Sequence, residues 1–206
     1  MRHDITAAEI VKLRSSKARD AGSKLIGYAS SDNPSIRYQS ILGLGLRSEA
    51  KAMDTIQSHL RNDDSEKVRG ISAVALGYFD DGGYDSLVTA LDDSSEFVVT
   101  CVITTLVSRK EKRAAATLLA MLGDQRWKIR LAVCEALVQL RVVNQSVIDV
   151  LEALLYSDEG TEYNAGVNVL RARSVGVSQQ SNDMDVLQTI NEVLADAIDL
   201  HSTSNP

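Results

Sequence analysis

Residues 65–79 read SEKVRGISAVALGYF, and this stretch decides the fold because the chain repeats it. The stretch opens on a polar turn, continues with apolar residues at helical spacing and closes on a glycine followed by Tyr-Phe. Val68, Ile71 and Leu76 fall on one side of a helix, since residues three to four positions apart share a face. The pattern therefore predicts an amphipathic helix that needs a neighbouring element to cover its apolar face.

Copies of this helix recur along the chain at a spacing of about 31 residues. Each complete copy has a polar turn and then a Val/Ile-Arg pair, whose arginine we call the repeat arginine. The copies are DNPSIRYQSILGLGL from Asp32, DSEKVRGISAVALGY from Asp64, SSEFVVTCVITTLVS from Ser94, QRWKIRLAVCEALVQ from Gln125 and a degraded EGTEYNAGVNVLRAR from Glu159. Repetition at this period indicates a stack of small supersecondary units.

A second apolar helical segment follows each copy, so the repeating unit is helix A, a short turn, helix B and a second turn. The turn after helix B usually holds an aspartate. We expect this aspartate to cap the next helix A, because its side-chain oxygen can accept the unpaired N–H groups of a first turn. The turn aspartates are Asp32, Asp63, Asp93, Asp124 and Asp158.

These units predict an all-α fold, a right-handed α-α superhelix or solenoid of about five to six helix pairs. One pair cannot bury its apolar faces alone, whereas stacked pairs form a continuous core. Two prolines and 4% aromatic residues suit helices around an aliphatic core. We expect one solenoid over residues 1–206, with an N-terminal helix pair at 5–31, repeats at 32–174, a capping helix at 183–200 and a disordered tail at 201–206.

The pattern resembles the HEAT-repeat family, in its shorter form of about 30 residues known as the phycobilisome-lyase-type repeat. The resembling residues are the turn aspartates, the pairs Ile36-Arg37, Val68-Arg69 and Ile129-Arg130, and the ending Ala75-Leu76-Gly77, within about residues 17–174. The resemblance implies that each repeat arginine reaches the turn aspartate of an adjoining unit. The expected ladder residues are Arg37, Arg69, Arg130, Asp63, Asp93 and Asp124. Repeat three carries Val99 in place of the arginine, which predicts a local weak point.

No catalytic residue, metal site or cofactor is predicted from the sequence. None of the three histidines is followed by Glu, unlike the His-Glu pairs that the HEAT-fold deoxyhypusine hydroxylases need for iron. A Gly-x-Ser-x-Gly elbow and a phosphate loop are also absent. Cys101 and Cys134 lie inside apolar helical runs, as buried thiols of a reducing compartment do. Without a signal peptide or a run of roughly 20 apolar residues, a cytoplasmic protein is expected.

One basic cluster stands out in the turns of repeats three and four. Trp127, the single tryptophan, lies among arginines and lysines there, and this composition is typical of a binding hot spot. The candidate binding residues are Arg61, Arg109, Lys112, Arg113, Arg126, Trp127 and Lys128. The alternative is that Trp127 packs between two layers while the charges are solvated.

The mixed charge of the predicted B helices favours a non-enzymatic scaffold or adaptor that binds a protein partner on its concave B-helix face; an enzymatic role is left open. The resemblance also implies an alternative, a phycobilin lyase or isomerase subunit that acts on a bilin-carrying protein. A HEAT-like DNA-binding protein or glycosylase is a minor alternative, since a net charge of −6 disfavours nucleic acid. A balance of +3 over residues 1–30 and −6 over 158–206 could pair termini in a homo- or heterodimer.

Overall fold

A computed structural model describes residues 5–155 and 186–204, and regular structure in these ranges is helical, with no strand. The predicted all-α fold class is therefore confirmed. The helices are α1 Ala7–Arg14, α2 Ala21–Ala29, α3 Pro34–Leu46, α4 Met53–Asn62, α5 Glu66–Leu76, α6 Tyr84–Thr89, α7 Glu96–Ser108, α8 Ala115–Ala120, α9 Trp127–Gln139, α10 Gln145–Leu155 and α11 Val186–Ser204. Short 3-10 turns lie at Ala50–Ala52, Ala90–Asp92, Lys112–Ala114 and Met121–Gly123.

The chain divides into two compact units, and the first is Met1–Glu111. In this unit α1, α3, α5 and α7 are the A helices, and each packs against the next A helix along the chain. The B helices cover this row from α2, which packs on α3, through α4, which packs on α5, to α6, which packs on α4 and α7. The first unit is therefore a stack of helix A–helix B repeats. A single continuous solenoid over residues 1–206 stays a prediction.

The second unit, Lys112–Pro206, contains α8 to α11. Helix α9 packs against α8 and α10, and α11 packs against α10 and α9. Because α11 ends at Ser204, the expectation of a disordered tail is wrong for residues 201–204. The Ser202 and Thr203 hydroxyls donate to carbonyls one turn back, Ser202 to Ile198 at 2.6 Å, so the helical turn continues. Repeat five, the connector at 175–182 and the proposed Asp183 cap lie outside the described residues.

Aliphatic side chains make up the core of both units, as the composition predicted. The largest fully buried side chains are Ile10, Leu25, Ile41, Leu44, Ile56, Leu60, Leu76, Leu87, Leu106, Leu118, Ile129 and Leu137. Small residues set the distance between A helices: a Cβ added at Gly45 of α3 would lie 2.8 Å from Cα of Ala75 on α5. The two helices therefore approach until backbone meets backbone, which only small residues allow.

The turns that follow helix A share a left-handed residue. Ser48, Lys110 and Arg141 have φ angles of 47°, 54° and 58°, and each stands one position after the C-cap of α3, α7 or α9. This backbone conformation closes the helix end, since the following N–H groups can bond back to carbonyls of the last turn. The residue just before it, the C-cap, is thereby placed at the edge where helix A passes to helix B.

Candidate functional site

Two repeat arginines of the first unit form ion pairs with turn aspartates. Arg37 donates from Nε to Oδ2 of Asp63 at 2.8 Å and from Nη2 to Oδ1 at 2.7 Å. Arg69 binds Asp93 in the same bidentate way, at 2.7 and 3.0 Å. These pairs are largely buried, with the side chain of Asp63 only 2% exposed. Each pair connects one helix A to the turn that precedes the next helix A, so these charges serve the fold.

The repeat arginine also holds the turn before its own helix. Nη1 of Arg69 donates to the carbonyl of Asp63 at 2.8 Å, and Nη1 of Arg130 donates to the carbonyl of Asp124 at the same distance. Arg37 makes equivalent bonds in the turn before α3. One guanidinium can therefore serve two turns, because its five N–H donors spread over a fixed fork.

The turn aspartates close the turn and do not cap the next helix, so that expectation is corrected. Ser65 is the N-cap of α5 and makes no cap bond with its side chain. Instead, Oδ1 of Asp63 accepts from the backbone N–H of Ser65 at 2.9 Å, and Asp93 accepts from the N–H of Ser95 at 2.8 Å. The physical reason is the arginine, which draws the carboxylate towards the preceding helix A and away from the first-turn amides.

In the first repeat the turn position is filled by Ser31, and not by Asp32 as the sequence alignment indicated. Oγ of Ser31 accepts from the N–H of Asn33 at 3.2 Å, as the aspartates do in later turns. Asn33 is then the N-cap of α3 and accepts from the N–H of Ser35 at 2.9 Å. Ser31 stands six residues before the repeat arginine, which is the separation in the later repeats.

Asp124 in the second unit is bound by an arginine of its own turn. Arg126 donates from Nε to Oδ1 at 3.0 Å, from Nη2 to Oδ2 at 2.8 Å and from its backbone N–H to Oδ1 at 2.8 Å. These hydrogen bonds lower the pKa of Asp124. Repeat three, with the buried Val99 in place of its arginine, has no guanidinium to offer. Arg126 supplies one locally, so we correct its assignment as an unengaged binding cation.

Asp63 has one more partner, which sequence reasoning missed. Nδ1 of His59 lies 2.8 Å from Oδ2 of Asp63. Burial opposes ionisation of this carboxyl, but the hydrogen bonds from Arg37, from the N–H of Ser65 and from His59 outweigh it and lower the pKa of Asp63 to about 2. The available signal was the spacing of four residues between His59 and Asp63 at the end of a predicted helix.

This lowered pKa predicts an acid-sensitive contribution to stability. The Asp63 carboxyl ionises near 3.8 when unfolded and near about 2 when folded, so its contribution is complete above the unfolded value and is lost as pH falls through the folded one. Between pH 5 and pH 2 the wild-type chain should lose about 2 kcal/mol more free energy of unfolding than Asp63→Asn does. Urea titrations of both proteins at these pH values measure the difference. Parallel losses would contradict the role of Asp63.

Arg109 departs most clearly from the predicted basic cluster. Its side chain is only 7% exposed, and Nη2 lies 3.0 Å from a carboxylate oxygen of Glu111. Nη1 donates to the carbonyl of Gly82 at 2.9 Å and approaches that of Leu76 at 3.4 Å. Arg109 therefore ties the turn between α5 and α6 to the end of α7, and the expectation that it is an exposed binding residue is corrected.

A second series of arginines, which the sequence analysis did not identify, lies on the turns between helix A and helix B. Nη1 of Arg47 donates to the carbonyl of Ser16 at 2.7 Å and approaches that of Arg14 at 3.3 Å, as Arg109 does one pair of repeats later. Arg47, Tyr78 and Arg109 stand 31 residues apart. That spacing was the sequence signal, and it shows that this column alternates between arginine and another residue.

The remaining candidate residues keep exposed or half-buried side chains. Trp127 begins α9 and is half-buried, with Nζ of Lys128 5.7 Å from its ring centroid, which is within cation–π range. Lys112 and Arg113 are exposed in the turn before α8. Arg61, in the first unit, is exposed in the last turn of α4. Neither unit gathers its candidates around an enclosed pocket that the described residues define.

Thiol and metal chemistry find little support in the described part of the chain. Burial raises the pKa of Cys134 to about 12, with Glu135 adding to the effect, and burial also raises the pKa of Cys101. Both thiols are therefore protonated at neutral pH and poor nucleophiles. No three His, Cys, Asp or Glu side chains converge as a metal site within residues 5–155 and 186–204. Across those same ranges, no helix combines the length and apolar character that a membrane crossing requires.

Comparison with known families agrees with the repeat geometry. A family model described as HEAT repeats matches the chain three times, at residues 22–106, 53–127 and 84–171. Together the matches span well over half of the 206 residues. A search of curated proteins found no match. HEAT repeats are helical scaffolds whose extended surfaces typically bind proteins. The chain therefore belongs to the HEAT-repeat family, and its fold class is the all-α solenoid.

Proposed function

We propose that the protein is a non-enzymatic scaffold or adaptor that binds a protein partner on its B-helix face. The observation that carries this proposal is a division of labour among the charged side chains. Arginines and aspartates of the turns are occupied by one another, whereas charged residues on the B helices of the first unit are exposed. These exposed polar residues include Lys51, Asp54, Arg61, Asp85 and Thr89.

Three of these residues are unoccupied by the fold. Lys51, Asp54 and Arg61 make no hydrogen bond or ion pair within the described part of the chain. Their removal would cost the fold little, so folding does not explain why the face is charged. Both signs of charge occur side by side on and next to α4, which suits the mixed surface of a protein better than a phosphate backbone.

Reversing two of these charges should weaken partner binding without loss of stability. In Lys51→Glu/Arg61→Glu, the affinity for a partner identified by cross-linking to the wild-type chain should fall about tenfold, mostly through slower association. The free energy of unfolding should stay within about 0.5 kcal/mol of wild type, since both sites are exposed. Biolayer interferometry with the purified partner measures the change.

The control reverses two exposed lysines of A helices, Lys12→Glu/Lys128→Glu. It makes the same change in net charge as the B-helix variant. Equal loss of binding in both double variants would show that net charge matters and the B-helix face does not, and would remove this proposal.

The bilin lyase or isomerase role remains an alternative that rests on the resemblance. A bilin needs an acidic group near its pyrrole nitrogens and a cation for its propionates. The turn pairs headed by Asp63 and Asp93 are engaged within the fold, so a bilin would have to use the B-helix charges. Absorption spectra of bilin mixed with the protein, alone and with its partner, test this role.

A DNA-binding or glycosylase role is the weaker alternative, because two of its expected cations, Arg109 and Arg126, are paired with carboxylates. A salt-sensitive gel shift with duplex DNA tests it. Dimer formation, either with a second copy or with another subunit, and a cytoplasmic location stay predictions.

A further inference from the structure

A groove of about 520 Å³ opens on the A-helix row of the first unit, away from the B-helix residues considered above. It lies where the first residues of α3 and α5 meet, beside the start of α1. The residues that line it are Ala7, Pro34, Ser35, Tyr38, Gln39, Ser65 and Lys67. Its volume is in the range of about 300–1,000 Å³ that is usual for ligand sites, so a few residues of a peptide would fill it.

The one side-chain amide in this groove is held in a fixed orientation. Oε1 of Gln39 accepts a hydrogen bond from Nη1 of Arg14 at 2.7 Å. An amide whose oxygen is engaged in this way offers its NH2 group to other partners. Gln39 therefore adds hydrogen-bond donors to the groove while its acceptor is largely used.

The other polar groups in the groove are unoccupied. The hydroxyls of Ser35, Tyr38 and Ser65 and the amine of Lys67 make no hydrogen bond or ion pair within the described part of the chain. A hydroxyl can donate, and an ammonium group can only donate. The groove thus presents donors without a matching set of free acceptors, and its complement is a group that only accepts.

Charge points the same way. Lys67 is the only charged residue among those that line this groove, and its side chain is exposed. The neighbouring carboxylate, Glu66, accepts from the hydroxyl of Ser95 at 2.6 Å and so has a partner in the next repeat. A carboxylate accepts only, and charge-assisted hydrogen bonds from an ammonium are among the strongest in proteins.

An aromatic ring lies next to this cation. Phe97 is 49% exposed, and its ring lies over Gly70, three residues after Lys67 on the same side of α5. A Cβ at position 70 would meet this ring, so the glycine gives the ring its seat. Phe97 offers an apolar surface to a residue that follows a carboxylate.

We propose that this groove binds a short acidic segment of a protein, with an Asp or Glu carboxylate on the Lys67 ammonium and the serine hydroxyls, and an apolar residue on Phe97. The site lies on the A helices, so it extends the protein's binding capacity beyond the B-helix face and does not depend on that proposal.

Two pools of fluorescein-labelled octapeptides test the inference against the full chain. Both pools fix Phe at one position and randomise the rest, and they differ only in Asp or Asn at the position before it. Anisotropy titrations at physiological salt should show about tenfold tighter binding of the Asp pool. Lys67→Glu should remove this preference, and Ser35→Ala/Ser65→Ala should reduce it, without change in the unfolding transition.

Lys128→Glu is the matched control, since Lys128 is the second residue of α9 as Lys67 is of α5. It should leave the Asp preference intact, as should the B-helix variant Lys51→Glu/Arg61→Glu, so the two proposals fail separately. Equal binding of the Asp and Asn pools would overturn the inference. So would equal losses in Lys67→Glu and Lys128→Glu, which would indicate binding by net charge alone.

Discussion

Replacing Asp63 with alanine should lower the free energy of unfolding by about 3–5 kcal/mol, the usual cost of removing one member of a buried ion pair. The carboxylate of Asp63 holds the guanidinium of Arg37, Nδ1 of His59 and the backbone N–H of Ser65. Alanine leaves these donors around a position that is only 2% exposed. An exposed ion pair would cost only about 0–1 kcal/mol. Urea denaturation followed by far-UV circular dichroism measures the loss.

Asp64→Ala is the matched control, because Asp64 is the next residue and its side chain is exposed. Its effect should stay within about 0.5 kcal/mol. Asp63→Asn keeps an oxygen for the N–H of Ser65 but removes the charge, so it should fall between the two. Stabilities of Asp63→Ala and Asp64→Ala that agree within about 1 kcal/mol would show that Asp63 does not anchor the stack.

Gly45→Ala should destabilise the first unit by about 1–3 kcal/mol, the range found when a close-packed core is overfilled. The added Cβ would lie 2.8 Å from both Cα and Cβ of Ala75 and 3.0 Å from its carbonyl oxygen. These are backbone atoms or atoms next to the backbone of α5, so α3 and α5 must move apart as whole helices. The loss in the unfolding free energy follows from urea titration.

Gly27→Ala provides the opposite sign in the same fold. Gly27 lies inside α2, is exposed and would meet no atom within 4 Å of an added Cβ. Alanine there should stabilise the protein by about 0.5–1 kcal/mol, because glycine loses more conformational freedom when a helix forms. If both alanine variants shift stability in the same direction, the close approach of α3 and α5 does not limit what position 45 accepts.

The repeat pattern predicted the helices well because helical periodicity is a local property. The A helices begin within a residue or two of the turns seen in the sequence, and the aliphatic core is confirmed. The pairing of Arg37 with Asp63 and of Arg69 with Asp93 also follows the implied ladder. In each case the residue type recurs at a constant spacing, so comparing the copies was sufficient.

Charged residues that break the pattern were harder to interpret. Arg109 and Arg126 looked like members of one exposed basic cluster, yet each pairs with a carboxylate two residues away in the chain, Glu111 and Asp124. A cluster of cations in a sequence does not show which are already neutralised. Burial and the direction of each side chain decide this, and both depend on how the turns fold.

By itself, the sequence determined the repeating helix pair, the aliphatic core and the separation of about 31 residues between equivalent positions, because these depend on local periodicity. The tertiary structure alone decided which charges the fold uses and which it leaves exposed. Arg69 meets Asp93 across 24 residues only when one repeat stacks on the next. The groove beside Lys67 forms for the same reason, since its walls come from helices that are adjacent in space and separated in the chain.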